Sequence, residues 1–291
     1  MLLKLENVTY VYQKGSPYES TALHDVSFSV TEKDFVALIG HTGSGKSTLA
    51  QHLNGLLKPT EGSVTLDGND IHSGKTALRD VRKRIGLVFQ YPEHQLFEET
   101  VYKDVAFGPK NAGLSQAETD ERVTWALRQT GLDPAAVSGL SPFELSGGNM
   151  RRAALAGVLA MRPEMLVLDE PAAGLDPMGR AEMMRLVGRL YEEGCGIVMI
   201  THSMDDVAEW AKRAVVMSHG TIIRDEAPRS LFAGPKELLQ AGLDVPQTVQ
   251  MGMKLRETGV PFPEQAISRQ ETLDALTAIL RAHKGAEVNA E

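Results

Sequence analysis

Apolar residues recur along the chain in two rhythms. Residues 2–12 alternate, with Leu3, Leu5 and Val8 apolar and Val11 near the end, which predicts a strand. A second strand is expected at residues 22–30, after a loop that carries Gly15 and Pro17. Short apolar runs at residues 35–39, 84–89, 165–168 and 196–201 read as buried strands. Asp67-Gly68, between residues 62–66 and 69–71, is a hairpin signal. Helical spacing is expected at residues 46–56, 116–130, 150–161 and 176–193, the last ended by Gly194. Between residues 93 and 160 the pattern is helical and polar without clear strands, so a helical subdomain is expected there. A hairpin around residues 215–223 closes an α/β core that ends near Glu226.

The remainder, residues 227–291, changes character. Helical pieces begin at Pro235 and Pro246, each a candidate first-turn proline, and residues 259–263 form a break. A final helix opens on Ser268-Arg269-Gln270-Glu271, a capping-box pattern. Leu273, Leu276, Ile279 and Leu280 then make an apolar stripe that suits packing on its own domain or on a partner.

The chemistry gathers at strand ends. Behind the run at residues 35–39 stand Gly40, His41, Thr42, Gly43, Ser44, Gly45, Lys46, Ser47 and Thr48, a P-loop at the end of a strand and the start of a helix. Its glycines let backbone N–H groups converge on phosphate, and the helix N-terminus favours the same anion. Lys46 is expected to reach the β- and γ-phosphates of a nucleoside triphosphate, and the Ser47 hydroxyl to hold Mg²⁺. The run at 165–168 ends in Asp169-Glu170, where Asp169 suits a second metal anchor and Glu170 the base for the attacking water. Gln90 and His202 end two further strands on the same expected carboxyl edge, where a P-loop enzyme needs a further oxygen donor near its metal. Ser146-Gly147-Gly148 precedes a helix and offers either a second anion-binding N-terminus or an ordinary cap. Tyr10 and Tyr12 fit base stacking or plain strand filling equally.

Bulk composition narrows the classes. With 291 residues, 42% hydrophobic and 23% charged, the chain is an ordinary globular protein of one large domain, or one plus a smaller one. A formal net charge of −8 argues against a nucleic-acid-coating role. The single cysteine, Cys195, excludes an intramolecular disulfide and reads as a small core residue. Neither a signal peptide nor an apolar run of membrane-spanning length is expected, so membrane association would come through a partner.

In order along residues 1–226, the P-loop, Gln90, Leu145-Ser146-Gly147-Gly148, Asp169-Glu170, Ala173-Gly174-Leu175-Asp176 and His202 resemble the motif set of the ATP-binding-cassette family. The resemblance implies a mixed-sheet core with an antiparallel β subdomain and a helical signature subdomain. It also implies a pair of cassettes sandwiching two ATP molecules. Ser146, Gly147 and Gly148 would then cap the γ-phosphate held by the opposite subunit, and Asp176 would lie at the same interface. By the same resemblance Tyr12 stacks on adenine, Gln90 bridges Mg²⁺ and the membrane partner, and His202 contacts the γ-phosphate.

Residues 89–97, continuing through Thr100-Val101 to residues 104–109, look more narrowly like the ATPases of energy-coupling factor transporters. Together with Met150-Arg151-Arg152 they are most like the second of the two ATPases in the shared-module version. The implied function is ATP hydrolysis at the cytoplasmic face of the membrane, driving uptake of vitamins or transition-metal ions. The implied partners are a homologous second ATPase in a heterodimer, a transmembrane coupling protein contacting the region around Gln90–Phe97, and an interchangeable substrate-binding membrane protein. The extension after residue 226 would be a dimerisation region.

Two positions depart from the pattern. Asn149 stands where the signature ends in glutamine, and Ala172 where threonine is usual. Both bear on the hydrolysis rate rather than on the metal ligands or the base. Two other classes stay open on sequence: a soluble cassette acting on nucleic acid or ribosomes, and a cassette that binds ATP chiefly to regulate.

Overall fold

The computed structural model describes residues 1–240 and 242–288; Ala241 and residues 289–291 of the expected extension lie outside the described residues. Among the described residues ten strands form two sheets: β1 (Leu2–Tyr12), β2 (Ser20–Thr31), β3 (Phe35–Ile39), β4 (Glu61–Leu66), β5 (Asn69–Asp70), β6 (Ile85–Val88), β7 (Met165–Asp169), β8 (Gly196–Ile200), β9 (Arg213–Ser218) and β10 (Thr221–Glu226). The first sheet is antiparallel in the order β2-β1-β4-β5, and the second runs β10-β9-β3-β8-β7-β6. In the second sheet β10 alone pairs antiparallel.

Side chains alternate across a strand, so a strand covered on both faces must be apolar throughout. Phe35, Ala37 and Ile39 of β3 enter one core, and Val36 and Leu38 enter another. β7 and β8 divide in the same way: Leu166, Leu168, Ile197 and Met199 go to the first core, and Met165, Val167, Val198 and Ile200 to the second. The second core lies between the two sheets and takes in Leu49 and Leu53 of helix α1 (Lys46–Leu53). The first core is covered by α3 (Val101–Asn111), α4 (Gln116–Gln129), α6 (Gly147–Leu159) and α7 (Pro177–Glu192). Buried aliphatic side chains of this size contribute roughly 1.5–3 kcal/mol each, which makes the double-faced sheet the rigid part of the molecule.

The other helices are α2 (Lys75–Arg84), α5 (Pro134–Val137), α8 (Met204–Trp210), α9 (Pro228–Leu231), α10 (Pro235–Gln240), α11 (Gln247–Glu257) and the long α12 (Arg269–Val288). β10 ends at Glu226, yet burial does not stop there. Leu231, Phe232, Leu238, Val245, Val249 and Ile267 sit in the same core as Phe35 and Ala37. The extension is further tied to α8 by Gln247 N–H donating to Asp205 (2.8 Å) and Arg269 N–H to Glu209 (3.3 Å).

Several boundaries differ from the sequence expectation. α1 stops at Leu53, because Gly55 turns the chain at φ +68°. Gly147 and Gly148 do not precede the signature helix but form its first turn, with Ser146 as cap. Pro246 caps α11 instead of starting it, whereas Pro235 does open α10.

Candidate functional site

Four parallel strands deliver their chemistry to one edge. β3 runs into the loop at Gly40, β6 leads to Gln90, β7 ends on Asp169, and β8 leads to His202. The pairings Val88↔Leu168, Asp169↔Ile200 and Leu38↔Ile200 place these ends side by side. This is the carboxyl edge where open α/β sheets bind ligands.

The loop at 40–47 requires glycine for two physical reasons. A Cβ on Gly40, at φ +148°, would lie 2.2 Å from the Met217 carbonyl oxygen. Gly45, the N-cap of α1 at φ +103°, leaves no room either, since a Cβ would meet the Ala22 carbonyl oxygen at 2.7 Å. The loop curls around Lys46, whose ammonium donates to the carbonyls of Gly40 (2.8 Å) and His41 (3.0 Å). Burial lowers the Lys46 pKa, and the carboxylates of Glu170 and Asp169 work against that. Ser44 is fully buried, and its hydroxyl has no hydrogen-bond partner. Gly43, His41 and Thr42 form the outer turn; both His41 and Thr42 are exposed.

The acidic pair is built differently from an ordinary strand end. Asp169 is the last residue of β7, and the nearby Ser47 hydroxyl favours its ionised form. Burial nevertheless raises its pKa. Glu170 leaves the sheet at φ +51°, a left-handed conformation that non-glycine residues seldom adopt, while its N–H still donates to Ile200 O (3.1 Å). Burial, then the neighbouring Asp169 charge, pushes the Glu170 carboxyl up to about 7. Nε2 of His202 lies 3.3 Å from Glu170 Oε1, within ion-pair reach but not aligned as a hydrogen bond, so that oxygen keeps a free lone pair. Burial, then the Lys46 charge, lowers the His202 pKa and favours the neutral ring.

These residues make a site for a triphosphate and a hard cation. Mg²⁺ takes oxygen donors and keeps substrate phosphates and waters in its shell, so it asks for only one or two protein oxygens. The Ser47 hydroxyl and the neighbouring Asp169 carboxylate fit that requirement, and among the described residues there is no cluster of three His, Cys, Asp or Glu that would suit a different metal. Gln90 stands exposed beyond β6.

Other expected residues lie further out. The Tyr12 hydroxyl is 3.1 Å from that of Thr48, and its ring, edge-on to Tyr10, is 37% exposed beside the loop. Asp176 caps α7 by accepting from Gly179 N–H (2.7 Å). Ser146 caps α6 through Asn149 N–H (3.4 Å), and Gly147 and Gly148 are exposed with open space around them. Among the described residues no hydrogen bond joins these three to residues 40–48. They therefore present a second N–H-rich helix start that this chain's own P-loop does not use.

Some participants were given no role at the site by the sequence, although Arg151 belongs to the Met150-Arg151-Arg152 run noted there. Arg180 bonds Asp206 (2.6 Å) and adds positive potential at Glu170. His219 packs edge-on against His41 with ring centres 5.0 Å apart. Arg151 joins three segments around the site. Each depends on contacts between residues far apart in sequence, which no local pattern announces.

Comparison with known proteins converges on the same architecture. The family described as "ABC transporter" matches residues 23–173. The "Energy-coupling factor transporter ATP-binding protein EcfA2" of Symbiobacterium thermophilum is 52% identical over 287 residues, 99% of each chain. That of Caldanaerobacter subterraneus subsp. tengcongensis is 47% identical over 285 residues, 98% of this chain and 99% of the relative. Among solved structures, cbiO1 from Clostridium perfringens, described as part of the ABC transporter complex cbiONQ, superposes with a TM-score of 0.72 at 36% identity, covering 88% of this chain and 96% of that one. A dimeric post-hydrolysis structure of the ATP-binding cassette MJ0796, bound to ADP and Pi, gives 0.70 at 30% identity over 78% of this chain and 99% of that one.

Proposed function

This chain belongs to the ATP-binding subunits of energy-coupling factor transporters, within the ABC transporter family, and from that premise we propose how its residues power uptake across a membrane. It is an ATPase coupled to transport. The finer reading is uptake of vitamins or transition-metal ions through a transmembrane coupling protein and exchangeable substrate-binding membrane proteins. In this reading the chain works at the cytoplasmic face, attached through partners; among the described residues no helix is long and apolar enough to cross a membrane.

One observation supports the catalytic assignment most: Lys46, Ser47, Asp169, Glu170 and His202 converge at one sheet edge, with a carboxyl at about 7 among them. Residues 40–48 cradle the phosphates by backbone N–H groups, and Lys46 moves from the Gly40 and His41 carbonyls to the phosphate oxygens. Ser47, Asp169 and Gln90 would hold Mg²⁺, which when bound neutralises charge on the phosphates. Glu170 accepts the proton of the attacking water through its carboxylate. Neutral His202 donates to the γ-phosphate, and Tyr12 stacks on the adenine.

Ser146, Gly147 and Gly148 serve a homologous second ATPase by capping its γ-phosphate, with Asp176 at the same junction. The membrane coupling protein docks on the region around Gln90–Phe97. There a groove of about 650 Å³ holds Phe97, 60% exposed, edge-on to Phe107, 46% exposed.

The test is to assemble this chain with a second cassette ATPase and the membrane components, and to compare it with the Glu170→Gln complex. ATP binding should persist while hydrolysis falls by on the order of 10²–10⁴. Retention of wild-type hydrolysis would remove Glu170 as the base.

A further inference from the structure

Arg151 lies one turn into α6 and is only 4% exposed. A guanidinium carries its donors in a planar fork, and here the fork is spent on segments outside its own helix. Nε donates to Glu93 Oε2 (3.1 Å), Nη2 to the Gln90 carbonyl (3.0 Å) and more weakly to Glu93 Oε1 (3.4 Å), and Nη1 to the Ala173 carbonyl. The Tyr91 ring lies 5.8 Å from the guanidinium carbon.

Each partner leads to a different working part. Glu93 belongs to the 3₁₀ turn Pro92–Gln95, directly before the groove residues Leu96 and Phe97. Gln90 carries the amide assigned to the metal. The Ala173 peptide faces both ways: its N–H donates to the Glu170 carbonyl (3.0 Å), and its own carbonyl is held by Arg151. Three residues beyond Ala173 stands Asp176, the cap of α7. Gly147 and Gly148, four and three residues before Arg151, form the exposed first turn of the same helix.

We propose that Arg151 is a positioning residue that locks the tip of α6, the turn Pro92–Gln95 and the Glu170–Ala173 loop into one unit. A shift of the membrane-facing turn or of the helix tip is thereby transmitted to the Glu170 backbone. The groove end of this chain of contacts rests on the transporter reading above; the link from α6 to Glu170 does not. Lysine cannot replace the arginine, because a single ammonium has neither the span nor the fixed fork to bridge a carboxylate and two separate carbonyls.

The experiment compares wild type, Arg151→Lys and Glu93→Gln, both as full-length chains and in the complex with the second ATPase and membrane proteins. Hydrogen–deuterium exchange on the chain alone should show residues 90–97 and 170–176 loosening together in Arg151→Lys, with ATP affinity within about twofold of wild type. In the complex, kcat per folded molecule should fall by about tenfold or more with KM little changed, because a small misplacement of reacting groups acts on kcat. Glu93→Gln should move the same readouts in the same direction by less. A purely structural arginine would lower the melting temperature and leave kcat per folded molecule intact, and that result overturns the proposal. Exchange that changes in one loop only, or in neither, also overturns it. A wild-type complex that binds ATP but drives no transport would count against the transporter reading alone, since the exchange result stands apart from it.

Discussion

Glu170 combines a left-handed backbone, a buried carboxyl and a neighbouring charge, and each has a consequence that can be measured. A carboxyl that must be ionised to take a proton from water gives an acid limb. The kcat/KM of the assembled enzyme, which reports the free enzyme, should therefore rise with pH around an apparent pKa of about 7, and residual activity of Glu170→Gln should lack that limb. Stability runs the other way. The folded pKa is raised above its ordinary value of 4.5, so the contribution is fully present below 4.5 and is lost as pH rises through about 7. Glu170→Gln should accordingly be more stable than wild type at pH 8, by on the order of 2 kcal/mol, and equal to it near pH 4. Melting curves at the two pH values check this. The identities of Lys46, Asp169, Glu170 and His202 were legible from their places at strand ends, because a buried strand fixes where its last side chain emerges. The positive φ at Glu170 and the unpartnered Oε1 were not, since neither leaves a mark in the local sequence pattern.

At the scale of elements, the signature helix shows how cap chemistry and function share residues. Ser146 accepts from Asn149 N–H, and loss of such a cap costs about 1 kcal/mol. Ser146→Ala should lower stability by that amount and also weaken the ATP site shared with the second ATPase, so that hydrolysis falls further than unfolding explains. Gly40→Ala offers a sharper contrast, because a Cβ 2.2 Å from the Met217 carbonyl oxygen forces the P-loop off β9. That variant should lose about 1–3 kcal/mol and measurable ATP binding together, followed by calorimetry and nucleotide titration. Sequence rhythm located α4 within one residue at its end but placed the start of α6 three residues late. Glycine argues for a loop by propensity, and here the cap and the following packing override it. α2 and α8 were not anticipated. α2 is strongly polar and α8 is only seven residues long, too short for a periodic stripe to stand out.

Across the whole molecule, the two-sheet core anchors an extension that is itself half core and half surface. Its first part, from Leu231 to Ile267, shares the burial of β3, so the change of character after Glu226 marks a change of secondary structure and not of packing. α12 is then pinned at its start by a reciprocal capping box, in which Glu271 accepts from Ile267 and Ser268 N–H and Ser268 accepts from Glu271 N–H. Burial opposes ionisation of Glu271, but the Arg229 guanidinium and these N–H groups outweigh it and hold the carboxyl down to about 2. Beyond that anchor, Leu273 is 58% exposed and Leu280 is 64% exposed on the stripe recognised in the sequence. A leucine pair held out by a well-capped helix adds little to the core, and we propose it as a contact for a second cassette subunit. Leu273→Ser with Leu280→Ser should leave the melting temperature and ATP affinity of the single chain within error of wild type. The same pair should weaken its association with the second ATPase by about a hundredfold or more, since burying two leucines contributes roughly 3 kcal/mol or more. Sedimentation of the mixed subunits at several concentrations reads that constant directly. An unchanged association constant would assign the pairing to the nucleotide-facing surfaces around Ser146 and Asp176 and leave α12 without a part in it.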